Sequence, residues 1–257
     1  MIERELRGSV ALITMSHGRA NALDLELLPA ISDALVREAD EETDAVVLAG
    51  TGRIFSAGVD LHRFVAGGPP YIAELIPTLT RCLRTVFTFP KPIVAAVNGH
   101  AIAAGCLLAL ATDYRIMAED SGRVGVPELD FGVPFPYILL ELLRFTIPRQ
   151  HQHEVIFHGG TYQSAQALEY GLVDELVPAH SLLHRAVQEA QRLGKIPCDI
   201  FEVAKAQIRQ TAVAAIDISE DIYDERVMQI LARPDTLDAI QDYMDRTVGK
   251  REPSAVR

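Results

Sequence analysis

Two short stretches constrain this chain more than anything else in it: Phe55-Ser56-Ala57-Gly58-Val59-Asp60-Leu61 and Asn98-Gly99-His100-Ala101-Ile102-Ala103-Ala104-Gly105-Cys106. Each follows an apolar, strand-like run, Ala45 to Ala49 in the first case and Pro92 to Val97 in the second, and each turns the chain with small residues. Small residues let backbone amides approach a ligand closely. Two such turns, the second opening the apolar helical segment from Cys106 to Ala111, can aim two N–H donors at one carbonyl oxygen, with the positive end of a helix dipole behind one of them. That arrangement is an oxyanion hole built from backbone.

The rest of the chain is read around those turns. Val10 to Met15, Ala45 to Ala49, Ile93 to Val97 and Arg115 to Ala118 read as strands. Leu27, Ile31 and Leu35 recur at helical spacing behind Asp24 as a cap, with Pro29 blurring the start, and Ile72 to Phe87 reads as a second helix. Repeated strand-turn-helix units describe this half. After about Pro178 the sequence becomes charged and helix-favouring. Ser181 to Leu193, Phe201 to Thr211, Ser219 to Leu231 and Thr236 to Val248 carry apolar residues three and four apart, and Gly249 to Arg257 reads as a frayed end. No low-complexity linker and no sequence repeat divides the two parts.

A chain of 257 residues, 49% hydrophobic and 23% charged, can bury a large core and needs no covalent staples. Its net charge of −11 and lack of a basic run argue against a nucleic-acid surface. Cys82, Cys106 and Cys198 are odd in number and far apart, which suits reduced thiols in a cytoplasmic protein. Met1 to Arg7 does not read as a signal or transit peptide, and no stretch has the length of a membrane span, so a soluble cytoplasmic protein is expected.

Several chemistries are disfavoured by pattern. Gly50-Thr51-Gly52 begins like a dinucleotide loop, but Phe55 stands at the third glycine position and no helix opens there. Neither GxSxG nor a P-loop is present. His151 and His153 face different sides of a helix, and with His158 they form no metal-ligand spacing, so no metal site is expected. They read as surface residues.

The two glycine turns resemble those of the crotonase superfamily, the enoyl-CoA hydratases and isomerases. Asn21-Ala22-Leu23, Asp113 to Ala118, Pro127-Glu128-Leu129, Gly132-Val133-Pro134 and the stretch from Ala165 to Leu176 extend the resemblance over most of the chain, in order and spacing. It implies an α/β fold, a spiral of repeated ββα units over residues 1–178. A helical region over 179–257 would cover the active site and build a trimer, or a dimer of trimers. It also implies an acyl-CoA thioester as partner, coenzyme A being part of the substrate, with no separate cofactor.

By the same resemblance the oxyanion donors are the amides of Val59 and Ala104. Ala103-Ala104-Gly105 stands where many hydratases have three glycines, a change that adds methyl groups but keeps each N–H. Glu128, after Pro127, falls at the family's catalytic glutamate. The second glutamate typical of hydratases is replaced by Leu107, and the wording around it is closer to the Δ3,Δ2-enoyl-CoA isomerases. Adding water benefits from two carboxylates, whereas moving a double bond needs one base that shuttles a proton. The acyl-CoA would pass Arg19, Ala20, Leu23, Ser56, Ala57, Asp60 and Leu61, with Ile102, Gly105, Leu107 and Pro127 around the reacting end. Arg19 reads equally as a phosphate contact or a surface arginine, and Asp60 as a cap of backbone amides. Glu141, alone in the apolar run from Tyr137 to Leu143, and His100, in the second turn, are further polar candidates. A hydratase with an unrecognised second acid, hydrolysis or retro-Claisen cleavage of a thioester, and a non-catalytic CoA-binding protein remain alternatives.

Overall fold

Continuous hydrophobic runs become strands buried on both faces. The computed structural model describes residues 1–247, and within them β1 (Ile2–Arg7), β2 (Val10–Met15), β3 (Ala45–Ala49), β5 (Ile93–Val97), β7 (Tyr114–Ala118) and β10 (Glu175–Val177) form a six-stranded sheet in the order β1-β2-β3-β5-β7-β10. All neighbours are parallel except β1, which pairs antiparallel with β2 in the register Ile2 to Met15. Successive side chains alternate between two cores, as strand geometry requires. Ala11, Ile13, Val46 and Leu48 join the main core, while Val10, Leu12, Val47 and Val94 pack with Leu182, Ala186 and Ala190. Those last three belong to α7 (Leu182–Leu193), which lies on the sheet.

A second, four-stranded sheet consists of three-residue strands: β4 (Ile54–Ser56), β6 (His100–Ile102), β8 (Arg123–Gly125) and β9 (Thr161–Gln163), in that order. The chain alternates between sheets. β3 and β4 precede α2 (Leu61–Thr88), β5 and β6 precede α3 (Ala104–Leu110), and β7 and β8 precede a 3-10 turn (Glu128–Phe131) and α4 (Tyr137–Thr146). Three consecutive ββα units are therefore stacked in parallel register, which places the two glycine turns side by side.

The helices correct several sequence expectations. Asp24 does cap α1 (Leu27–Asp40), its Oδ1 accepting from the amides of Glu26 at 3.0 Å and Leu27 at 2.7 Å, and Pro29 sits in the first turn. There proline removes no helical hydrogen bond. The helix expected from Ile72 begins earlier, at Leu61, because α2 consists of two helical segments joined at Gly68 (φ 55°), after which Pro69 and Pro70 open the second. The two helices expected at 201–211 and 219–231 are one, α8 (Cys198–Leu231), since the Ala-rich link contains no breaker. α5 (Arg149–Phe157) leads into β9, α6 (Ser164–Glu169) links β9 to β10, and α9 (Pro234–Thr247) follows α8. The frayed end expected from Gly249 and the last residue of the final helix, Val248, lie outside the described residues.

α8 is tied to the core by charge. Lys205 and Arg209, both buried, reach Asp113 at 2.8 Å each, and Arg209 also donates to the carbonyls of Phe87, Ala111 and Thr112. A cation at these carbonyls serves the ends of α2 and α3, whose last C=O groups lack helical partners. None of the helices in the described residues is long and apolar enough to cross a membrane.

Candidate active site

The first turn is held by Asn21. Its side-chain amide donates to the carbonyls of Ile54 and Phe55 at 3.2 Å each, while its own carbonyl accepts from the Ser56 hydroxyl at 2.8 Å. Ser56 Oγ in turn accepts from the amide of Gly58 at 3.2 Å. Leu23 brackets the next residue, donating its N–H to the Gly58 carbonyl and accepting from the Asp60 N–H. Every polar group beside Val59 is thereby used. The Val59 N–H itself donates to no acceptor among the described residues.

Close backbone approach brings the second turn against the first. A Cβ on Gly58 (φ 86°) would lie 2.8 Å from the Ile102 carbonyl and 3.4 Å from the Ala104 nitrogen, and one on Gly105 would lie 2.4 Å from the Ser56 carbonyl. These contacts explain the glycines as a packing requirement. Ala103 takes the strain, with φ 55° and ψ −129°, a conformation that L-residues rarely adopt. It is pinned there by its N–H to the Gly125 carbonyl at 2.8 Å and by its own carbonyl, which accepts from Cys106 and Leu107. The following amide, that of Ala104, opens α3 and likewise has no acceptor among the described residues.

Glu128 begins the 3-10 turn that leaves the small sheet, and it is buried. Among the described residues its Oε2 has no hydrogen-bond partner. Burial pushes the carboxyl up to about 8, opposed only by its own backbone N–H. Val59, Ala104 and Glu128 line one cavity, with about 690 Å³ of free space partly open to solvent. Of the residues expected from the sequence, Ala57, Leu61, Ile102 and Pro127 line it too. One backbone pair of donors and one unpartnered carboxyl thus meet in an otherwise apolar chamber. A group of this kind, poised near neutral pH in an apolar site, is suited to take and return protons.

The remaining expected residues stand outside the lining. Leu23, Ser56 and Gly105 build the turns from behind, and Asp60 caps α2 by accepting from the Arg63 amide at 3.1 Å. Arg19 is exposed and Ala20 half-buried beside the first turn, the Ala20 carbonyl accepting from Ala57. Leu107, on α3, is fully buried in the main core. Glu141 is buried on α4 with its Oε2 3.2 Å from the Arg144 guanidinium, and burial raises its carboxyl against that charge. It does not line the cavity. His100 lies on β6, its Nδ1 accepting from the Arg123 amide at 3.2 Å, a contact that ties two strands of the small sheet.

Sequence reasoning missed the cavity's far walls. Phe64, Ile76 and Leu79 come from α2, Leu139 from α4, Leu231 from the end of α8, and Ile240 and Tyr243 from α9. The three-residue spacing of Ile76 with Leu79 and of Ile240 with Tyr243 was visible, but it is the same signal that any core-facing helix gives. His17, Asp24 and Glu26 are a cluster that the sequence did not point to, with His17 Nε2 2.7 Å from Asp24 Oδ2. The cation there is Arg63, 2.9 Å from Glu26 and 3.5 Å from Asp24.

Comparison with known proteins converges on one group. Residues 5–250 match the family model described as enoyl-CoA hydratase/isomerase. Human mitochondrial enoyl-CoA delta isomerase 1 is 24% identical over 249 residues, 96% of this chain and 82% of that protein. A putative enoyl-CoA hydratase of Thermus thermophilus is 34% identical over 197 residues, 74% of this chain and 76% of its own. Among solved structures, the human mitochondrial delta3-delta2-enoyl-CoA isomerase superposes with a TM-score of 0.89 at 25% identity, covering 95% of this chain and 97% of that one. The α/β spiral with a helical C-terminal region is the architecture these proteins share.

Proposed function

The chain belongs to the enoyl-CoA hydratase/isomerase family, and on that footing we propose that it moves a double bond, converting a 3-enoyl-CoA to a 2-enoyl-CoA. The observation that carries this reading is the pairing of one buried, unpartnered carboxyl, Glu128, with an apolar residue, Leu107, at the place of a second acid. The thioester carbonyl lies between the amides of Val59 and Ala104. Glu128 removes a proton from C2, the electrons spread into a dienolate whose oxygen the two amides stabilise, and Glu128 returns the proton at C4. Only one base is needed because both carbons lie on the same conjugated system, and the amides count most where charge on oxygen is greatest. Such a proton shuttle calls for neither a metal nor a redox cofactor.

The CoA portion enters past Arg19 and Ala20 and the rim of the first turn. The same reading assigns a trimer, or a dimer of trimers. Association would cover the isoleucines 200, 208, 218 and 222 that α8 leaves exposed, and light scattering gives the molecular mass. The chemistry is tested by supplying a 3-enoyl-CoA and a 2-enoyl-CoA in parallel. Formation of the conjugated thioester from the first, outpacing hydration of the second, is the expected result. Hydration without isomerisation restores a second acid, release of free CoA points to thioester cleavage, and binding without turnover points to a non-catalytic protein.

A further inference from the structure

The cavity is more selective than an acyl pocket need be. Among the described residues no lysine, arginine or histidine lines it, and its one carboxyl is that of Glu128. The wall farthest along the sequence is made by Leu231, Ile240 and Tyr243. Tyr243 stacks on Phe131 with ring centroids 4.2 Å apart and planes at 27°, and Phe131 is the last residue of the turn that Glu128 opens. α9 packs against that turn and against α2, so the ring pair is supported on two sides.

Resting on the reading of the site as one for acyl-CoA thioesters, we infer that the acyl group is an unsubstituted hydrocarbon chain whose length is gauged by the stacked rings of Phe131 and Tyr243. A terminal carboxylate on the acyl chain would lose its water and find no cation among the described lining residues. A methylene chain gains instead from every carbon it buries, roughly three- to fourfold in affinity each. That gain ends where the chain meets the rings, because rings held by α2, α9 and the catalytic turn cannot yield without disturbing all three.

The test uses saturated straight-chain acyl-CoAs, which bind but cannot isomerise, titrated calorimetrically from butanoyl to hexadecanoyl into the parent protein and into Tyr243→Ala. Affinity should climb roughly three- to fourfold per carbon and then level in the parent. In Tyr243→Ala the plateau should move outward by about two carbons or more, raising long-chain over short-chain binding on the order of tenfold. Tyr243→Leu, which keeps apolar bulk and so the packing of α9, should shift it less in the same direction. An acyl-CoA of fitting length with a terminal carboxylate should bind about tenfold weaker or worse. Identical length profiles in parent and both variants, or equal affinity for the carboxylated chain, would overturn the inference alone. Failure of the folded parent to bind any acyl-CoA would overturn the reading of the site along with it.

Discussion

Two acids of this molecule, Asp113 half-buried and Glu128 buried, live under opposite rules. Asp113 sits where α8 meets the core, and its carboxylate receives Lys205, Arg209 and the Ile93 amide at 2.8 Å each. Glu128 sits in the cavity with one oxygen bare and, among the described residues, no cation beside it. Burial is costly for ions in both places: it lowers the Lys205 ammonium to about 8 and raises the Glu128 carboxyl to about 8. At the joint the cost is offset by partners that finish the network. In the cavity nothing finishes it, and the two unbonded amides of Val59 and Ala104 lie in the same chamber. Unsatisfied polar groups in a folded protein are rare, and their gathering in one place marks where a ligand completes the structure.

Removing each carboxylate separates the two regions most sharply. Glu128→Gln should stabilise the fold, because the unfolded chain releases this proton near the ordinary glutamate value of 4.5 while the folded chain holds it until about 8. Stability is therefore lost as pH rises between those values, and the variant's advantage should be absent below about pH 4.5 and complete above about 8. At roughly 1.4 kcal/mol per unit its ceiling is about 5 kcal/mol. Denaturant melts of parent and variant across that range measure it, and a variant no more stable at high pH would remove the distinction between the two acids. Asp113→Ala should do the reverse, costing about 3–5 kcal/mol because two buried cations lose their partner. A loss below about 1 kcal/mol would show that α8 is held by packing alone. Gly58→Ala has the smallest expected effect on stability, about 1–3 kcal/mol, from a left-handed φ and a methyl group pressed on the Ile102 carbonyl. Its sharper readout is acyl-CoA turnover, since the methyl group intrudes between the two amide donors.

The backbone half of the site was legible in the sequence because its requirements are local. Gly58 and Gly105 are glycines for reasons of contact and conformation, and the strands before them are apolar on both faces. The short strands of the second sheet were not legible, being three residues long and indistinguishable from the turns they support. β1 escaped for a different reason: as an edge strand it exposes Glu3, Arg4, Glu5 and Arg7 and has no apolar alternation to reveal it. The far wall of the cavity is hidden more deeply. Ile240 and Tyr243 lie more than a hundred residues from Glu128, and only the packing of α9 on α2 and on the turn that Glu128 opens shows that they face the chamber. Glu128 could be singled out by its setting after Pro127, but its lack of a partner is a property of the folded chain.

Everything proposed for the reaction depends on Glu128 moving the C2 proton while backbone amides hold the thioester oxygen. Glu128→Gln, incubated with a 3-enoyl-CoA in deuterated water, probes this directly when isomerisation and exchange at C2 are followed together. Glutamine keeps the size of the side chain but cannot accept the proton. Isomerisation and exchange should each fall at least ~100-fold, with acyl-CoA affinity nearly intact. A folded variant that still exchanges the C2 proton at the parental rate would contradict the assignment and place the base elsewhere in the chain.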